Sequence, residues 1–153
     1  MDVGLRVVAE SDLPIFFEHQ CDPEAARLAA FPARDLETFL AHWAKVLSDD
    51  TTTKMTILVD GAVAGNIVSF DHAGKREIGY WLGRVYWGRG IATRAVSAFV
   101  SQAPERPLYA GIAKHNVGSI RVLEKCGFVR VGEDHAFATW DEQVVEGVIL
   151  ELA

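Results

Sequence analysis

The stretch Trp87-Gly88-Arg89-Gly90-Ile91-Ala92-Thr93 holds the residue types and spacing in this chain best suited to chemistry. Two glycines one residue apart let the backbone turn tightly and come close to a ligand. Beyond them, Ile91, Ala95, Ala98 and Phe99 recur at the spacing of one buried helical face, which predicts a helix over 91–102. A glycine turn feeding a helix presents unpaired N–H groups and the positive end of the helix dipole, a natural seat for phosphate. Two common phosphate-binding arrangements fit poorly. A P-loop needs Gly-Lys followed by Ser or Thr, and here Gly90 is followed by Ile91. A dinucleotide fold wants glycine or alanine at Thr93 and an acidic residue closing the next strand, which instead ends Ala113-Lys114-His115.

Other elements must hold that turn in place. Glu77 to Leu82, EIGYWL, reads as a strand ended by Gly83, with Glu77, Gly79 and Trp81 on one face and Ile78, Tyr80 and Leu82 on the other. Upstream, Leu5–Val8 predicts a first strand, and Ser11 an N-cap for a helix over 12–19. Residues 21–33, punctuated by Asp22-Pro23 and Phe31-Pro32, suit a short helix or a loop. Asp35 caps a helix over 36–47, and Asp60-Gly61 joins strands 55–59 and 62–70 as a hairpin. Downstream come a strand at 108–112, a helix capped by Asn116 and ended by Gly127, and closing strands at 128–131 and 144–152. Phe128 is placed to pack back on Leu123 across that glycine. Hairpins mixed with strand–helix alternation predict a single α+β domain over 1–153, with a mixed sheet.

Composition narrows the class. The 153 residues are 50% hydrophobic and 24% charged, with mean hydropathy +0.12, as in ordinary soluble domains. No apolar run nears the roughly 18 residues that span a bilayer, and MDVGLRVVAESD lacks the pattern of a secretion signal. The expectation is a cytoplasmic protein with reduced Cys21 and Cys126 and no membrane partner. A net charge of −6 argues against general nucleic-acid binding. The charge is uneven: residues 84–127 carry seven basic and two acidic side chains, so a cationic block sits inside an acidic chain. No metal is expected, because His19 and Cys21 lack a second pair of ligands. No Gly-x-Ser-x-Gly stretch supports a serine hydrolase.

The turn WGRGIAT (87–93) is followed, after a strand, by NVGSIRVLEKCGF (116–128), and the ordered pair resembles the GNAT superfamily of acetyl-CoA-dependent N-acetyltransferases. The EIGYWL strand and WGRG turn look most like the RimJ/RimL-like branch, and the firm match covers about 77–128. The resemblance implies a mostly antiparallel, splayed sheet flanked by helices, with acetyl-CoA in the splay. By position, it implies that Arg89, Gly90, Ile91, Ala92 and Thr93 hold the CoA pyrophosphate, while backbone groups of Trp81 and Leu82 meet the pantetheine arm and polarise the thioester carbonyl. Asn116 would bond the cofactor, Ser119 would sit near the sulfur, and Arg121 would reach the adenosine phosphates. Trp87 replaces the Gln or Arg of many relatives, losing that side-chain contact. Leu123 stands where many relatives carry a tyrosine acid, so Ser119 is the substitute.

Transfer from a thioester to an amine needs a neutral amine, a polarised carbonyl and a stabilised thiolate. Glu77 is the candidate base, and a serine hydroxyl need only hydrogen-bond a sulfur whose thiol ionises near about 8.5. Phe31 and Glu77, together with the hairpin around Phe137 to Trp140, would flank the acceptor. That acceptor is a peptide or small-molecule amine, and the acidic remainder of the chain favours a cationic one. The protein is expected to be a monomer or homodimer. The rival functions are a non-catalytic CoA-binding regulatory domain of the same fold and a nicotinamide-binding module.

Overall fold

The computed structural model describes residues 1–138 and 144–153. Seven strands, β1 (Val3–Val7), β2 (Thr53–Val59), β3 (Ala62–His72), β4 (Lys75–Leu82), β5 (Leu108–Ala113), β6 (Val129–Ala138) and β7 (Val144–Leu152), form one sheet in the order β1-β2-β3-β4-β5-β7-β6. Every neighbouring pair is antiparallel except β4 with β5. The β2–β3 turn places Asp60 at φ 50° and Gly61 at φ 83°, the left-handed pair that suits a twisted hairpin. The sequence patterning and this topology agree on an α+β fold with a mixed, mostly antiparallel sheet.

Helices cover both faces. The helices α1 (Leu13–Gln20) and α3 (Leu36–Ser48) bury Leu13, Phe16, Phe39 and Trp43 against Val63 and Val68 of β3. The ambiguous 21–33 segment contains a short helix, α2 (Pro23–Ala29), because the Asp22 side chain accepts from the amides of Glu24 and Ala25. On the opposite face, α4 (Ile91–Gln102) and α5 (Val117–Lys125) pack Ile91, Ala95, Phe99 and Leu123 on Ile78, Leu82 and Leu150. Gly127, at φ 95°, ends α5 as expected: Phe128 N–H donates to Leu123 O at 3.0 Å and Gly127 N–H to Glu124 O at 3.1 Å.

One cap departs from expectation. Ser11 does not cap α1; it lies within a 3-10 turn over Glu10–Asp12, and Asp12 occupies the cap position without capping through its side chain. The Asp12 carboxylate turns inward instead. It accepts from Arg6 at 2.7 and 2.8 Å, from the Ala9 amide at 3.0 Å and from Thr56 Oγ1 at 2.7 Å. A carboxylate with a charged partner outcompetes a solvent-exposed cap, and the Arg6 hydrogen bonds hold this carboxyl down at about 2.

Candidate active site

The parallel pairing of β4 and β5 extends only over Arg76–Leu108 and Glu77–Tyr109. Past that rung β4 stays with β3 as far as Leu82–Gly65, while β5 follows β7 as far as Ala113–Gly147. The two strands fork, leaving the β5-facing edge of residues 78–82 without a strand partner among the described residues. Gly65 keeps this end of β4 regular, since a Cβ there would collide with the Trp81 carbonyl. Beside the fork opens a cavity of about 480 Å³, lined by Tyr80, Trp81 and Leu82, by the glycine turn and first turn of α4, by α5 and by one side of α2.

The glycine turn faces this cavity. Gly88 (φ 71°) and Gly90 (φ 75°) line it, and no atom lies within 4 Å of where a Cβ on either would stand. Gly90 is the N-cap of α4 and offers no side chain; the first turn carries no acid, and no side chain among the described residues caps the helix. Ile91, Ala92 and Thr93 line the same wall. Trp87, expected only to forgo a contact, ties the turn to the strand by donating from Nε1 to the Leu82 carbonyl at 2.9 Å. Arg89 is not in the wall: its exposed guanidinium lies 5.9 Å from the Tyr86 ring centroid and 3.6 Å from Met1 Sδ.

The opposite wall is α5. Asn116 caps it, accepting the Ser119 amide at 3.4 Å, and Asn116, Ser119, Arg121 and Lys125 all line the cavity. Ser119 Oγ lies 2.7 Å from the hydroxyl of Tyr80. Burial pushes the Tyr80 phenol up to about 12, outweighing the opposite effect of its bond to Ser119. Tyr80 was not among the sequence candidates, although its alternation with Ile78 and Leu82 placed it on this face. The cationic block divides here. Arg84 pairs with Asp22 at 3.3 Å, Lys114 with Glu133 at 3.8 Å, and Arg94 caps the Met1 carbonyl at 3.0 Å. Arg121 and Lys125 form no ion pair among the described residues, and both meet the cavity.

Glu77 and Phe31 stand apart from this cavity, on the face of β4 that carries Trp81. Glu77 Oε2 lies 2.6 Å from His72 Nδ1, and its Oε1 is 3.9 Å from where a Cβ on Gly111 would stand. The Phe31 ring meets Trp81 edge-on at 6.3 Å, and the Arg34 guanidinium carbon lies 4.7 Å from its centroid. Phe31 also lines a second groove of about 360 Å³ with Pro32, Arg27, His115 and Val145. Trp81 joins the two regions, since it lines the first cavity and touches Phe31. Phe137 flanks Gly111 on the Glu77 side, whereas Trp140 lies outside the described residues.

An open glycine turn leading a helix, a forked sheet and a capped second helix surround one cavity, and sequence comparison names the class. Residues 2–129 match the acetyltransferase (GNAT) domain, and the chain belongs to that family. Two provisionally named Bacillus subtilis (strain 168) proteins resemble it. The N-acetyltransferase YjcK is 46% identical over 59 residues, covering 36% of this chain and 33% of YjcK. The ribosomal N-acetyltransferase YdaF is 29% identical over 104 residues, covering 63% of this chain and 57% of YdaF. The chain thus aligns with less than two thirds of either relative, and the likeness to YdaF agrees with a RimJ/RimL-like branch. Among solved structures, aminoglycoside acetyltransferase AAC(6')-Ib in complex with coenzyme A superposes with TM-score 0.82 at 22% identity, over 99% of this chain and 95% of that one. Spermidine N-acetyltransferase from Vibrio cholerae, in complex with CoA and spermine, gives 0.83 at 13% identity, over 98% and 94%. Both establish the shared fold.

Proposed function

We propose that this chain transfers an acetyl group from acetyl-CoA to a primary amine by direct attack, with no acyl-enzyme. The observation that carries this reading is that the unclaimed amides of α4 and the Asn116–Ser119 end of α5 face each other across one cavity beside the β4–β5 fork. The residues fit the cofactor. An open helix N-terminus with no side-chain cap and no acid in its first turn suits a pyrophosphate, and Arg121 and Lys125 supply charge for further phosphates. When bound, acetyl-CoA supplies the reacting carbonyl carbon: a C–N bond forms, the C–S bond breaks, and its electron pair stays on sulfur.

The chain's own groups do the rest. Gly90, Ile91, Ala92 and Thr93 bind diphosphate through backbone N–H, with the backbone of Arg89 adjoining and its side chain turned away. The unpaired edge of Trp81 and Leu82 orients the pantetheine arm and polarises the carbonyl. Asn116 holds the cofactor and Ser119 hydrogen-bonds the sulfur. Glu77, at the last paired rung, removes the ammonium proton directly or through water. Phe31, Trp81 and Phe137 supply apolar walls around the acceptor, and the Glu77 carboxylate favours a cationic one. The names of the structural relatives, an aminoglycoside and a spermidine acetyltransferase, and of YdaF, a ribosomal N-acetyltransferase, keep small polyamines and protein N-termini both in view. The whole is read as a single cytoplasmic domain, monomeric or homodimeric. No helix among the described residues is long and apolar enough to cross a membrane.

The test is a panel of primary amines (spermidine, an aminoglycoside, free amino acids and peptides with free N-termini) offered with acetyl-CoA, reading thiol release. Amine-dependent release supports transfer. CoA binding without acceleration by any amine points to the regulatory domain, and saturable NAD binding without CoA binding overturns the reading.

A further inference from the structure

We infer that Tyr80 is a positioning residue that aims the Ser119 hydroxyl hydrogen at the cofactor sulfur, so that Ser119 stabilises the departing thiolate by hydrogen bonding. This rests on the acetyl-CoA reading above.

One hydrogen bond is thereby assigned a direction. Tyr80 Oη and Ser119 Oγ are 2.7 Å apart, and either could donate. The phenol has no other acceptor among the described residues. If Ser119 donated to it, the serine would have no hydrogen left for the sulfur, and the phenol O–H would face the cavity in its place. In the arrangement inferred here Tyr80 donates and Ser119 accepts. The serine keeps its own hydrogen, which is free to turn into the cavity that both residues line. A hydroxyl that already accepts one hydrogen bond is a better donor of the next.

The same chemistry limits what Tyr80 does. Burial pushes its phenol up to about 12, which disfavours giving up the proton. The contribution assigned to Tyr80 is therefore orientation of Ser119. The other titratable groups around the pair are Tyr86 on the turn before α4, Arg121 and Lys125 on α5, and Cys126 after it. None is altered in the variants below, so each bears on all of them alike.

The experiment uses CoA itself as probe and needs no acceptor. Binding is measured first by calorimetry; absence of binding would sink the acetyl-CoA reading, separately from this one. The bound thiol is then titrated by its thiolate ultraviolet absorbance, with the S-methyl thioether of CoA as the blank at each pH. In the wild-type chain the thiol should ionise at least tenfold more readily than free CoA. Tyr80→Phe should remove most of that gain with CoA affinity within two-fold. Ser119→Ala should remove it too, and the double variant no more than either alone. A bound thiol that titrates like free CoA, a Tyr80→Phe protein that matches wild type, or additive single effects would each overturn the inference. Should Tyr80→Phe fail to fold, 3-fluorotyrosine at position 80 keeps the ring and strengthens the donor. It should make the thiol ionise more readily still, and an unchanged titration would overturn the inference equally.

Discussion

Glu77 and Tyr109 form the last paired rung between β4 and β5, and the fork opens immediately past them. The proposed base thus stands at the crotch of the splay, with the Trp81 and Leu82 edge on one branch and Gly111 on the other. Its carboxylate is about a quarter exposed and is held by His72, fixed enough to aim yet open to an incoming ammonium.

Glu77→Gln keeps the shape and a hydrogen bond to His72 but removes the proton acceptor. Turnover at neutral pH should fall about a hundred-fold or more, in the range of a lost general base. CoA affinity should stay within two-fold, because Glu77 is outside the cavity wall. Steady-state kinetics with the best amine of the panel, set beside calorimetry, checks the split. A pH–rate profile identical to wild type would assign the base elsewhere.

Arg121 and Lys125 meet the cavity without an ion pair among the described residues. Replacing either by Gln should weaken CoA several-fold, a loss of about 1 kcal/mol for a partly solvated charge on phosphate. The loss should shrink as salt rises toward 0.5 M, as Debye screening requires. Pantetheine, which lacks the phosphates, should bind the variants and wild type alike. Equal loss for both ligands would place these cations away from the phosphates.

Asp12 is the buried anchor of the N-terminal strand. Its carboxyl sits at about 2, below the ordinary 3.8, mainly through the Arg6 hydrogen bonds. A depressed carboxyl stabilises the fold above its unfolded value and loses that effect as pH falls through the folded one. Stability should therefore drop between about pH 4 and pH 2, by about 2 kcal/mol at most, because Arg6 is partly exposed and screened. Asp12→Asn should cost a similar amount at pH 7 and flatten that acid limb in urea melts. An unchanged limb would assign the acid sensitivity to another group.

The parts of this molecule governed by local chemistry were legible in the sequence. The Asp60-Gly61 hairpin, the Asp35 cap, the span of α4 and the Gly127 terminus each depend on a few adjacent residues, and the structure has them where the sequence places them. The walls of the cavity were legible for the same reason, since the glycine turn and Asn116 carry their own geometry. Side-chain partners chosen across the fold were not. Ser11 looked like a cap because nothing nearby disclosed that Asp12 would turn inward to Arg6 and Thr56. Tyr80 could be placed only on the face it shares with Ile78 and Leu82, because only the approach of α5, 39 residues on, brings Ser119 to it. Arg89 belonged to the right turn but points outward toward Tyr86 and Met1, a rotamer outcome that spacing does not encode.

The grip of the glycine turn on a diphosphate is tested most directly by calorimetry of CoA with two substitutions at Gly90. Both Gly90→Ala and Gly90→Asp put a Cβ on a backbone at φ 75° in open space, so the strain is common to both. Only the aspartate adds a negative charge at the mouth of the helix. Gly90→Ala should bind CoA within about five-fold of wild type, and Gly90→Asp at least a hundred-fold more weakly, or about 2.8 kcal/mol by the tenfold-per-1.4 rule. Equal affinity of the two folded variants would contradict a phosphate held at these amides.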